Sequence, residues 1–258
     1  MEKQNKGVDN THNQFETVIN AVADLGDKWQ PTAPHLSVKS LWALHGTVKP
    51  MLDSYDAVEL TYSQAAANRA DKFTYLNGIV KRVYPIADSC GMTVEAVTAV
   101  KTYKDLIDGN NIAQAKAKIK AQNKKNETLA KAGKATIELK KTRPVAEQSA
   151  ALKHQNFGFL IKELDNAGNY NTHEEGITLA ELKTLWQELD TTNKTVAAAK
   201  KTLDKKHAER NALIVGTKNS VLSAVTDIKK HFRGMKNGKE LPEYKQIVAV
   251  KFPSLKKI

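Results

Sequence analysis

Seven histidines, one cysteine and two arginines set deep in helical sequence are the side chains best suited to chemistry here. The histidines, His12, His35, His45, His154, His173, His207 and His231, are scattered, and none stands three or four residues from another, so no pair shares a helical face for a metal. His173 with Glu174 and Glu175 resembles the start of a zinc-protease motif, but the second histidine is absent and the segment reads as a loop. The oxygen-rich stretch DNAGNYNTHEE fails the calcium-loop pattern, because Ala167 occupies the second ligand position and no glycine follows at the sharp turn. It reads as a helix-capping loop. Cys90 precedes GMT at a helix-to-helix turn, where a helix N-terminus can activate a thiol, although packing is the simpler role. As the lone cysteine it excludes an internal disulfide and any multi-cysteine metal site. Arg69 and Arg210 lie deep in a long helical run, where partial burial demands carboxylate or carbonyl partners from another helix. Trp29, Trp42 and Trp186 form no stacking series and read as core or loop anchors. No nucleophile, base and orienting group stand at a defined spacing, so the residues predict no catalytic site, no metal and no cofactor. The chain reads as a non-enzyme.

Charge is the second chemical feature. Lys plus Arg number 40 against 28 Asp plus Glu, a net +12, while 41% apolar and 26% charged residues are ordinary for a globular chain. The excess is uneven: residues 1–110 carry −2, and residues 111–150 and 151–258 carry +7 each. Between Lys116 and Arg143 there are ten basic residues and two acids, and between Lys229 and Lys257 nine and two. Lys116, Lys118, Lys120, Lys124, Lys125, Lys131, Lys134, Lys140, Lys141 and Arg143 are the candidate contacts to nucleic acid or another polyanion. Aromatic residues are missing from that stretch and Lys far outnumbers Arg, so base stacking and bidentate base reading are not suggested. A solvated face is the competing reading.

The elements that position these residues come from an internal repeat. FETVINAVADLG from Phe15 aligns without gaps on FGFLIKELDNAG from Phe157, setting Phe15, Val18, Ile19, Val22 and Gly26 on Phe157, Leu160, Ile161, Leu164 and Gly168. After one dropped residue, LSVKSLWAL from Leu36 aligns with ITLAELKTL from Ile177, and that register carries Leu41, Val48, Arg69, Phe73 and Val80 onto Leu182, Leu189, Arg210, Ile214 and Val221. Apolar residues recur at three- and four-residue steps and alternating runs are nearly absent, so the fold is predicted to be all-α. Its architecture is two homologous helical bundles with long helices, residues 12–110 and 154–252. Residues 111–153, rich in Ala and Lys, are their basic connector, helical or flexible.

Within each half a first helix, 13–25 or 155–167, stops at Gly26 or Gly168. A polar loop with an aromatic residue, Trp29 or Tyr170, then leads to an N-cap at Ser37 or Thr178. A helix of some 36 residues is expected from Thr178 to Val215, whereas Pro50 predicts a kink or break in the equivalent run. Further helices are expected at 73–88, 93–108 and 217–233, the last two ending at Gly109 and Gly234, and LPEYKQIVAV adds a short final one with Pro242 in its first turn.

TLAELKTLWQEL, KKHAERNALI, SAVTDIKKHFRG and LPEYKQIVAVKF resemble the C-terminal repeat of uncharacterised tandem-repeat helical proteins encoded widely in Bacteroidetes. Arg210, Asn211, Tyr244, Lys245, Gln246, Ile247 and Phe252 match that pattern, whereas in the first half Arg69 is followed by Ala70 and Pro50 intrudes. The resemblance implies the helical fold and no established activity. With no run of about 18 apolar residues, and a start, MEKQNKGVDNTHNQ, without the apolar stretch of a signal peptide, the expectation is a soluble cytoplasmic protein. Its expected role is structural, in scaffolding or assembly with a protein partner or with copies of itself. Polyanion binding is the alternative.

Overall fold

The computed structural model describes residues 2–109 and 149–252, and among them every regular element is helical. We number seven α-helices in chain order: α1 (Glu2–Ala23), α2 (Val38–Ser89), α3 (Val94–Asp108), α4 (Ala150–Ala167), α5 (Leu179–Val215), α6 (Val221–Gly234) and α7 (Pro242–Ala249). Among the described residues, no helix is long and apolar enough to cross a membrane.

Ser37, Thr178 and Gly168 act where the sequence places them, whereas α1 ends at Ala23 and Gly26 instead opens a short 3-10 helix, Gly26–Lys28. The Ser37 hydroxyl accepts the Ser40 N–H at 3.2 Å to open α2. At α5 the Thr178 hydroxyl accepts the Glu181 N–H at 3.3 Å, while the Glu181 carboxylate accepts the Thr178 N–H at 3.0 Å, a reciprocal capping box. Gly168 closes α4 at φ +67, a left-handed conformation that costs a residue with a Cβ far more than it costs glycine.

The long helices correct one expectation. α5 runs 37 residues, as the unbroken pattern predicts, but α2 runs 52 residues straight through Pro50 and absorbs the separate helix expected at 73–88. Both Pro50 and Gly46, whose carbonyl loses its i+4 donor, lie on the exposed face, where an unpaired carbonyl costs far less than in a core. The halves do differ, but further along. α5 stops at Val215, Asn219 turns at φ +53, and Ser220 caps α6 by accepting the Ser223 N–H. The residues of α2 in the same register, 75–79, stay helical. Gly109 ends α3 in the left-handed region, whereas Gly234 remains inside α6 and Met235 caps it.

Packing sorts these elements in a way that the repeat alone does not reveal. One compact unit combines Met1–Ser63 with Ala199–Ile258, and the other is Gln64–Ala198. Expected boundaries at 12–110 and 154–252 therefore do not coincide with the compact units: α2 and α5 each contribute their first part to one unit and their last part to the other. Similarity identifies segments that are alike. It does not say which segments are packed together.

The first unit's core joins Phe15, Ile19 and Leu41 to Ile214, Val225 and Phe232. In the second unit, Phe73, Val80 and Val83 join Phe157, Leu160 and Leu189. Each of these side chains is at most 7% exposed. Both cores are locked at their loops by the same device. In the first, the buried Trp29 indole donates to the Leu36 carbonyl at 2.9 Å; in the second, the buried Tyr170 hydroxyl donates to the Ile177 carbonyl at 2.8 Å. Donor and acceptor are seven residues apart in both. Burial pushes the Tyr170 phenol up to about 12, as expected of a hydroxyl that keeps its proton to satisfy a carbonyl.

Candidate functional site

The surface feature with the most local construction is an aromatic platform in the second unit. His154 and Gly158 stand one turn apart on α4, and Trp186 comes from the first turns of α5. The Trp186 indole stacks on the His154 ring, with centroids 4.8 Å apart and planes at 13°. His154 Nε2 lies 3.1 Å from the Trp186 carbonyl, and since a carbonyl only accepts, this nitrogen carries the proton. A Cβ on Gly158 would sit 2.9 Å from Trp186 Nε1, so the missing side chain is what lets the indole approach α4. Held this way, Trp186 remains 37% exposed. On the same helix Phe159 is also exposed and packs against Tyr103 at 5.6 Å.

The first unit carries a ring pair at the matching positions. In the register of the repeat, His12 corresponds to His154 and His45 to Trp186, and the two imidazoles lie 3.9 Å apart at 32°. Trp42, also 37% exposed, meets His45 edge-on at 5.2 Å, and Phe15 lies beneath. Burial holds His45 below its ordinary pKa, and the neighbouring His12 adds to the effect while Glu16 opposes it. Trp42 and Trp186 are thus not the core or loop anchors that the sequence suggests. Only Trp29 is, edge-on to His231 at 4.6 Å and against Phe232. The signal for these faces was present in the repeat, which sets ring on ring at both 12/154 and 45/186, but sequence spacing alone does not show rings converging from different helices.

Other candidate residues resolve into structural roles. Among the described residues, Arg210 meets no carboxylate or backbone carbonyl: its guanidinium lies 4.2 Å over the Tyr55 ring, and an Nη–H donates weakly to Asn211 Oδ1 at 3.4 Å. Burial raises the Tyr55 phenol against the pull of that cation, and burial, with Arg210 adding to it, lowers His207 beside it. Arg69 lines a shallow groove with Phe73, Asn77 and Lys153. The Cys90 thiol donates to the Ala87 carbonyl at the C-terminal end of α2. His173 lies in the exposed loop before α5, and that loop is pinned by Asn169 donating to the Gly91 carbonyl and Arg82 donating to the Glu175 carbonyl. Tyr75 stands exposed between two open grooves, whose cations Arg82 and Lys72 are committed to Glu175 and Glu188. Among the described residues, no group of three or more His, Cys, Asp and Glu side chains could hold a metal.

The ten basic candidates from Lys116 to Arg143 lie outside the described residues. Of the C-terminal basic stretch, Lys236, Lys239, Lys245 and Lys251 are exposed, Lys230 pairs with Asp227, and Arg233 donates to the Tyr244 hydroxyl. No protein-family model, no curated protein and no solved structure matches this chain.

Proposed function

We propose that this chain is a non-catalytic structural or interaction protein, built from two homologous helical bundles whose exposed aromatic faces are contact surfaces for copies of itself. The observation that carries the reading is the Trp186 platform: a large ring fixed by His154 and by the gap at Gly158, yet left open to solvent. A rigid exposed tryptophan loses little entropy on binding, and such residues dominate interface energetics. Homology of the bundles is supported by the shared seven-residue ring-to-carbonyl bond. A non-catalytic role is supported by the engagement of Cys90, His154 and His45 in packing contacts.

The test is light scattering after size exclusion across concentration, on the native chain and on the Trp42→Ala, Trp186→Ala variant. Concentration-dependent mass in the native chain, lost in the variant at unchanged helicity, supports the reading. A strict monomer with no co-purifying partner removes its motive.

A second reading, sequence-independent polyanion binding, rests on the exposed lysines of residues 236–251 together with Lys116–Arg143. Under it, retention on heparin or DNA falls steeply as salt rises, and neutralising Lys116, Lys118, Lys120, Lys124 and Lys125 weakens binding without unfolding the bundles. No retention at low salt disposes of it.

A further inference from the structure

The two cores show a reciprocal pattern of composition. In the register of the repeat, residues 15–48 and 157–189 correspond, and so do residues 73–87 and 214–228. The first core takes its early segment from the N-terminal half and its late segment from the C-terminal half, and the second core does the reverse. Among the described residues, each buried cluster draws on both halves: Phe15 and Leu41 share one with Phe232 and Ile214, and Phe157 and Leu182 share the other with Phe73 and Val80. A half without its complement would expose side chains that are now fully buried, among them Phe15, Leu76 and Ile107.

We propose that this chain is a fused form of an exchanged dimer, in which residues 2–109 and 149–252 are each other's binding partners. The partner that each half fits is the complementary half, from its own chain or from a second copy. Exchange between two copies remakes every core contact of the monomer and requires no new interface, which makes it the least costly route to self-assembly open to this fold. The covalent tether opposes it by holding complementary halves at an effective concentration of about millimolar order. This inference rests on the homologous-bundle part of the reading above and not on the aromatic faces.

The pair that reports it is His35 and Asp227, which bring the two chain ends together in the first unit. His35 Nε2 lies 3.6 Å from Asp227 Oδ2, and both side chains are at least 36% exposed, so substitution leaves the core intact. In a Cys90→Ser background, full-length His35→Cys and Asp227→Cys chains are mixed, unfolded in denaturant, refolded together and treated with a short bismaleimide. The double variant His35→Cys, Asp227→Cys serves as the within-chain control.

The expected result is efficient closure within the double variant and, in the mixture, a between-chain product joining position 35 to position 227. That product approaches the within-chain yield near about 1 mM and falls roughly tenfold for each tenfold dilution. Absence of the mixed product at every concentration, with the control closing normally, overturns the proposal. So does failure of the control to close, or a mixed product no more abundant than that joining two copies of position 35. Because Trp42 and Trp186 belong to neither buried cluster, exchange that persists in the Trp42→Ala, Trp186→Ala variant while other self-association is lost separates this inference from the aromatic-face reading.

Discussion

At the scale of single residues, the chain's polar and aromatic side chains do structural work that specific measurements can isolate. Tyr170→Phe removes the donor to the buried Ile177 carbonyl and is expected to destabilise the protein by about 1–3 kcal/mol in denaturant titration. The phenol also sets an alkaline limit. Its pKa is raised from 10.0 to about 12 in the fold, so the folded state holds a proton that the unfolded state releases. Stability therefore falls as pH rises above 10 towards about 12, and the Phe variant loses that part of the slope. His45 sets an acid limit with the opposite sign. Its folded pKa lies below 6.5, so the unfolded state binds the proton first and stability drops as pH falls below 6.5. His207 shifts in the same direction and adds to this loss. Thermal melts from pH 7.5 to about 5 should show the decline, and His45→Phe, which keeps a ring against His12, should flatten part of it. An unchanged slope in that variant would show that His45 is not the titrating group.

At the scale of elements, the long helices contain residues that lower their stability without a packing return. Gly46 lies in α2 with nothing within 4 Å of where a Cβ would be, and its carbonyl lacks a donor because Pro50 has none. Gly46→Ala is expected to stabilise by about 0.5–1 kcal/mol. Pro50→Ala restores the missing donor and should stabilise as well, both read as an upward shift in the denaturation midpoint. Propensity and hydrogen bonding, not burial, set these effects, because both residues face solvent. A fall in stability on Pro50→Ala would mean that proline shapes α2 in a way the rest of the fold requires.

At the scale of the whole molecule, stability should follow the compact units and not the sequence halves. Phe15→Ala opens a cavity in the first core, with a cost of about 3–5 kcal/mol typical of such truncations. Hydrogen exchange in that variant is expected to accelerate together at residues 15–52 and 214–247, at opposite ends of the chain, and much less at 73–107 and 157–189. Acceleration confined to residues 15–109 would instead identify the sequence half as the cooperative body.

The helices and their punctuation were legible in the sequence because they depend on neighbours three or four residues away. The stripe from Phe15 to Val22, the caps at Ser37 and Thr178, the turn at Gly168 and the uninterrupted run of α5 all belong to that range. Pro50 misled because its cost depends on which face it occupies, and Pro50 and Gly46 both lie on the exposed one. The aromatic faces were hidden for a similar reason: His12 and His45 lie far apart in the chain and meet only when α1 packs on α2. Periodicity determined which residues turn inward and that the chain is helical. Only the tertiary structure decided that Phe15 is covered by the segment carrying Phe232, and Phe157 by the segment carrying Phe73. The hydrophobic effect rewards burial without specifying a partner, so two similar halves present interchangeable apolar stripes, and the choice between packing within a half and packing across halves is made by three-dimensional fit.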